Sequence, residues 1–319
     1  MPIVDLTLSE LKVYKPKLTR NRDFLSFWRQ NTKEAEGQPL NAKAKKVEYF
    51  SKRVEVTRIT FDGFSDNSPI TGYFIGSADS KDPKPTIISI HGYSGSKGTV
   101  SDFLGWINLG FSVFTVDVRG QSGEAPDHAK YDYGNITGNM TKGIQDKNKY
   151  YYRYAIMDCY RAINYITGRE DVDQKRIAVM GVSQGGGLAI ILTALQKKVA
   201  VTLSSVPYLS HFDRAVYVAE AGPYLEILNY MKAHPEEEGK VMDALSYFDA
   251  MNFAPEIGTP ILVSVGLIDT ICPPSTVFAA YHHLKSSQKE LAVYPGLGHE
   301  EPNIHVERKM KFATAHLMP

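Results

Sequence analysis

A short turn, Gly181-Val182-Ser183-Gln184-Gly185, separates two runs of opposite character. Before it, Arg176-Ile177-Ala178-Val179-Met180 is largely apolar and rich in strand formers. After it, Gly186-Gly187-Leu188-Ala189-Ile190-Ile191-Leu192 is small, apolar and competent to form a helix. A strand that turns at once into a helix forces a strained backbone on Ser183. The flanking glycines let neighbouring chain pass without a Cβ in the way. Such a turn lifts the Ser183 hydroxyl clear of the sheet and aims a helix N-terminus at it. The bare G-x-S-x-G pattern arises by chance in roughly one chain of this length in ten. The strand and helix around it therefore carry the inference.

The rest of the chain suits such a turn. Apolar runs Thr86–Ile90, Phe111–Val118, Arg176–Met180, Val199–Leu203, Ile261–Val265 and Glu290–Tyr294 read as strands, and Tyr150–Ile166 has helical spacing. Apolar strands separated by helices argue for an α/β fold, with a mostly parallel, doubly wound sheet covered on both faces. Ahead of them, Val54–Phe61 and Ile70–Ile75 alternate about a polar loop and read as an antiparallel pair. Residues 1–50 read as a helical lead-in. In it Phe24, Phe27 and Trp28 share one helix face and suit packing against the main body. A helical insertion is expected at about 210–257, near the active-site edge, with Glu236-Glu237-Glu238-Gly239-Lys240 as a solvated face. The whole, 1–319, reads as a single domain.

Composition removes several classes of function. With 36 Lys+Arg against 35 Asp+Glu, the net charge of +1 supplies no basic field for nucleic acid. No stretch approaches the ~20 apolar residues of a membrane span, and the first residues lack a signal-peptide pattern. The expectation is a cytoplasmic protein with no membrane or nucleic-acid partner. Cys159 and Cys272 are too few for a disulfide framework and read as buried small hydrophobes. No G-x-G-x-x-G follows a strand and no cluster of His and Asp ligands stands out. No cofactor and no metal are therefore expected.

A serine nucleophile needs a base, and the base needs an orienting group. Asp269, in Gly266-Leu267-Ile268-Asp269, follows one strand. His299, in Gly296-Leu297-Gly298-His299-Glu300, follows the next. Both fall just past strand C-termini, where open α/β sheets collect ligand-binding loops. The order Ser183, Asp269, His299 is that of α/β-hydrolases. Ser183 would attack an ester carbonyl, His299 would move the proton, and Asp269 would hold the imidazole. An oxyanion hole needs N–H donors; Gln184, after the nucleophile, supplies one. The second is assigned to Tyr93, in the loop His91-Gly92-Tyr93-Ser94-Gly95. His91 more plausibly shapes that loop than acts as base. Asp117 ends a strand but precedes the elbow, while His211, His234, His282, His283 and His305 fit the base role less well.

Several segments together resemble carbohydrate esterase family 7, the acetyl xylan esterases and cephalosporin C deacetylases. They are Arg119-Gly120-Gln121, the elbow written G-x-S-Q-G, and His299-Glu300. Longer stretches agree: Leu11–Pro16, Tyr150–Arg153, Leu245–Asp249 and Ile271–Tyr281. The resemblance covers nearly the whole chain. It departs around Glu124–Asn135, a loop that could alter the entrance or subunit contacts. It implies the α/β-hydrolase fold, a triad at Ser183, Asp269 and His299, and oxyanion donors at Tyr93 and Gln184. Arg119, Gly120 and Gln121 would be structural, and a buried Arg119 would need a carboxylate partner. It further implies acetyl esters as substrates, from xylo-oligosaccharides to cephalosporin C, a homohexamer, and an acyl pocket walled by Pro223 and Ile271. Another serine hydrolase on the same fold, an esterase of broader range or a peptidase, is the main alternative. A non-catalytic binding protein is the distant one.

Overall fold

The computed structural model describes residues 4–79, 82–132 and 137–318. Among these residues, nine strands form one sheet in the order β1-β2-β3-β5-β4-β6-β7-β8-β9. They are β1 Lys43–Val47, β2 Val54–Asp62, β3 Pro69–Ser77, β4 Lys84–Ile90, β5 Ser112–Val116, β6 Val172–Val182, β7 Val199–Ser205, β8 Ile261–Gly266 and β9 Lys289–Tyr294. Strands β5, β4, β6, β7, β8 and β9 run parallel to one another. The first three pair antiparallel, and β3 joins the parallel part by an antiparallel ladder to β5.

Strand side chains alternate between the two faces, so neighbouring residues enter different cores. Ile88, Phe114 and Val179 pack into the larger core. Their neighbours Ile87, Val113 and Ala178 pack into the smaller one. Helices α1 (Leu8–Leu11) and α2 (Phe24–Gly37) precede the sheet. Helix α3 (Leu104–Asn108) lies between β4 and β5 in sequence, and α4 (Tyr151–Thr167) and α5 (Gln184–Leu195) flank β6. Phe24, Phe27 and Trp28 of α2 are buried, as their spacing demands, against Tyr247, Phe248 and Phe253. They form core rather than an open aromatic surface.

The lead-in is helical only as far as Gly37; Lys43–Val47 is a strand at the sheet edge. Its lysines stay in solvent, and it is held by backbone pairing to β2 rather than by burial of its side chains. The sequence pattern of a half-buried strand is therefore missing from it. Helices α6 (Phe212–Val218), α7 (Tyr224–Ala233), α8 (Glu238–Ser246) and α9 (Ala250–Phe253) occupy the stretch between β7 and β8. Helices α10 (Pro274–His283) and α11 (Asn303–Leu317) complete the chain. Within the described residues, no helix is long and apolar enough to cross a membrane.

Of the individual loop at Glu124–Asn135, residues 133–135 lie outside the described residues. The rest is tied to the body. Ala125 is buried and its carbonyl accepts from the Gly120 N–H at 2.8 Å, and the His128 N–H donates to Ser68 Oγ at 2.9 Å.

Candidate active site

Strand β6 ends at Val182 and helix α5 begins at Gln184, so Ser183 is the whole connection. Its φ of 58° and ψ of −119° are strained for a residue with a side chain, a cost of about 1–3 kcal/mol that the surroundings must hold. They hold it by backbone bonds. The Ser183 N–H donates to Ser205 O at 2.9 Å, and the Ser183 carbonyl accepts from Gly187 and Tyr208 at 3.0 and 2.9 Å. Two glycines make the turn possible. A Cβ at Gly185 would lie 2.0 Å from the Ile90 carbonyl oxygen, and one at Gly181 would lie 2.3 Å from the Gly185 carbonyl carbon.

The structure brings Ser183, Asp269 and His299 into one hydrogen-bonded chain. His299 Nε2 lies 2.8 Å from Ser183 Oγ, and His299 Nδ1 lies 2.8 Å from Asp269 Oδ2. Asp269 is buried, and its Oδ1 accepts from the Ile271 and Cys272 N–H groups, each at 2.8 Å. A carboxylate that accepts on both oxygens keeps the proton on Nδ1 and leaves the Nε2 lone pair for the Ser183 hydroxyl. The loops carrying Asp269 and His299 are themselves joined, Ile268 N–H to Leu297 O at 3.1 Å. The spacing of Asp269 and His299 is thus set by adjacent strands β8 and β9.

The Gln184 backbone opens α5, where the first N–H groups have no partner within the helix. Across the turn, a Cβ on Gly92 would sit 3.8 Å from Ser183 Cβ, so the Gly92-Tyr93 loop borders Ser183. His91 braces this loop. Its Nε2 accepts from the Val118 N–H at 2.9 Å, which leaves Nδ1 to donate to Gly92 O at 2.7 Å. Both nitrogens are occupied, and burial pulls the His91 pKa down, so the ring stays neutral. Asp117 serves Lys97, whose ammonium is 2.8 Å away, and takes no part in the chain at Ser183.

The Arg119-Gly120-Gln121 segment ties these loops together. Gln121 Oε1 accepts from the Ser94 N–H at 2.7 Å, and its Nε2 donates to Gln184 Oε1 at 2.8 Å. The Tyr152 hydroxyl donates to the same Gln184 oxygen at 2.8 Å. Gly120, at φ +64°, adopts a conformation suited to glycine. The carboxylate that Arg119 needs is Asp158 on α4, with Asp66 as a second partner at 2.8 Å. Burial opposes the Arg119 charge, but Asp158, Asp66 and Asp127 together more than offset it. The sequence marks Asp158 only as a lone carboxylate in the otherwise apolar stretch Ala155–Cys159.

Pro223 precedes α7, and Ile271 follows Asp269. The two loops meet: a Cβ at Gly222 would lie 2.7 Å from Ile271 Cγ2, and Glu220 N–H donates to Thr270 O at 2.9 Å. Both cysteines are free and buried. Cys272 is more than core: its sulfur shares a cluster with Asp269 and His299, with the ligand atoms within 4.8 Å of one another. A metal ion there would have to displace the hydrogen bonds of Asp269 and His299. Burial pushes the Cys272 thiol well up.

A mostly parallel sheet with a serine elbow, and an acid and a histidine after the next strands, is the α/β-hydrolase fold. The chain belongs to the acetyl xylan esterase family, whose model matches residues 1–316. It is similar to the structure of an acetyl xylan esterase from Paenibacillus sp. R4, with 40% identity, 98% of this chain and 100% of that chain covered, and a TM-score of 0.95. It is also similar to acetyl xylan esterase 1 from Thermoanaerobacterium sp. JW/SL YS485, with 30% identity, 99% and 100% covered, and a TM-score of 0.93. Among characterised sequences it is similar to the acetyl esterase Axe7A of Xylanibacter ruminicola, 27% identical over 294 residues. That match covers 89% of this chain but 64% of the relative, so the chain spans less than two thirds of that relative's length.

Proposed function

We propose that this chain is a serine esterase that removes acetyl groups from acetylated xylo-oligosaccharides and from small acetyl esters such as cephalosporin C. The observation that carries the reading is the chain Asp269–His299–Ser183, with both contacts at 2.8 Å. Membership of the acetyl xylan esterase family supports the acyl group. Ser183 Oγ attacks the acetyl carbonyl while His299 Nε2 takes its proton. The negative charge that forms on the carbonyl oxygen faces the backbone N–H groups of Tyr93 and Gln184. His299 returns the proton to the leaving alcohol, and an acetyl-Ser183 ester remains. Water, deprotonated by His299, then attacks that ester and releases acetate. Ile271 and the Pro223 loop limit the acyl group to acetyl. The same reading includes a homohexamer in the cytoplasm, with residues 1–319 as one domain.

The test is the initial rate on p-nitrophenyl acetate, butyrate and octanoate, beside acetylated xylobiose, with and without EDTA. A steep preference for acetate, acetate release from xylobiose and indifference to EDTA are expected. A preference for octanoate would favour a different esterase role, and loss of activity in EDTA would overturn the serine mechanism. Sedimentation velocity tests the hexamer.

A further inference from the structure

We infer that Glu226, on α7, is a positioning residue that holds the oxyanion loop in register through the Tyr93 side chain. The inference rests on the reading of the Tyr93 N–H as an oxyanion donor. The Tyr93 hydroxyl donates to the Glu226 carboxylate, 2.9 Å from Oε1 and 3.0 Å from Oε2. The same hydroxyl accepts from the Asn139 N–H at 2.5 Å. Glu226 Oε2 also accepts from the Met140 N–H at 3.0 Å. Gly138 makes room: a Cβ there would fall 2.1 Å from Glu226 Oε2. Asn139 Nδ2 donates to Gly120 O at 3.1 Å, so the network returns to the segment that braces Ser94 through Gln121.

The arrangement answers a mechanical need. Residues 91–98 have no helix or strand to fix them, yet an oxyanion donor must be placed within a few tenths of an ångström. Gln121 holds the backbone one residue past Tyr93. Glu226 holds the Tyr93 side chain from the opposite element. Among the described residues the half-buried carboxylate has no ion-pair partner; its pKa is raised by desolvation, against the bonds from Met140 and Tyr93. A carboxylate so placed beside a site of developing negative charge would be a poor electrostatic choice. Its value is as an acceptor of two hydrogen bonds, which an amide can largely reproduce.

Helix α7 therefore joins both sides of the nucleophile. The loop before it packs on Ile271, and Glu226 grips Tyr93. Because the oxyanion contact exists only once the carbonyl becomes tetrahedral, loosening it should lower kcat and leave KM nearly unchanged.

The experiment is a double-mutant cycle on p-nitrophenyl acetate with Glu226→Ala, Tyr93→Phe and the pair, alongside Glu226→Gln. Inhibition by trifluoroacetone, which adds to the serine as a tetrahedral oxyanion, is measured on each variant. Either single change should lower kcat about tenfold, less than loss of a whole donor. The pair should lose no more than either alone, trifluoroacetone affinity should fall in proportion, and Glu226→Gln should restore most of the loss. Normal kcat in Tyr93→Phe, or additive losses in the pair, overturns the clamp. Slow Tyr93→Phe with unimpaired Glu226→Ala overturns the role of Glu226 and leaves the Tyr93 donor standing. Slow variants with unchanged trifluoroacetone affinity overturn the Tyr93 donor itself. Should Glu226→Ala fail to fold, Glu226→Met, which fills the space without an acceptor, takes its place in the cycle with the same expected loss of about tenfold, and an unimpaired Glu226→Met overturns the role of Glu226.

Discussion

Arg119 and Asp158 meet in a two-pronged ion pair in the interior, Nε to Oδ2 at 2.6 Å and Nη2 to Oδ1 at 2.9 Å. The pair joins the segment after β5 to helix α4. Asp158 also accepts from the Phe64 N–H at 2.6 Å, and Arg119 donates to the Phe64 carbonyl at 3.2 Å. One buried pair thus fixes the loop that carries Gln121, which in turn spans the two backbone segments beside Ser183.

Removing one partner of such a pair leaves a buried charge uncompensated. Arg119→Met should destabilise the fold by about 3–5 kcal/mol, seen as a lower urea midpoint with an unchanged slope. An unchanged midpoint would mean that Asp158 finds another partner or takes up a proton at little cost.

Ser183→Ala should leave the circular dichroism spectrum intact and lower kcat by at least about a thousandfold. The nucleophile assignment is lost if the variant keeps more than a few per cent of the rate.

Asp269→Asn can keep the acceptor oxygen used by Ile271 and Cys272 while turning an amide N–H₂ toward His299 Nδ1. That favours the wrong tautomer, and kcat should fall about ten-thousandfold with little change in melting temperature.

His305 gives a stability prediction with a definite sign. It is fully buried, its Nδ1 lies 3.1 Å from the Tyr294 hydroxyl, and its Nε2 has no hydrogen-bond partner among the described residues. Burial pushes its pKa from 6.5 down to about 4, with Glu301 opposing and Lys309 and Arg308 assisting. Between those values the unfolded chain binds more protons than the folded one. Stability from this group is therefore present above the unfolded value and lost as pH falls toward about 4. Melting temperature should drop from pH 7 to pH 5, and His305→Gln should flatten that slope. An undiminished slope in the variant would assign it to another group.

Much of this molecule was legible locally. Short apolar runs marked the parallel strands because a buried strand must be apolar on both faces. The elbow was legible because its strain and close approaches restrict the residue types that fit. The positions of Asp269 and His299 followed from strand ends. What remained hidden depends on chain brought from afar. Lys43–Val47 is a strand only because β2 offers its backbone groups. Asp158 and Glu226 carry no periodic signature; their roles arise from Arg119, 39 residues away, and Tyr93, 133 residues away. Sequence alone determined which residues could form a strand, a helix or a nucleophile. Tertiary structure decided which polar groups meet, because a hydrogen bond depends on positions in space to within tenths of an ångström, which local periodicity does not encode.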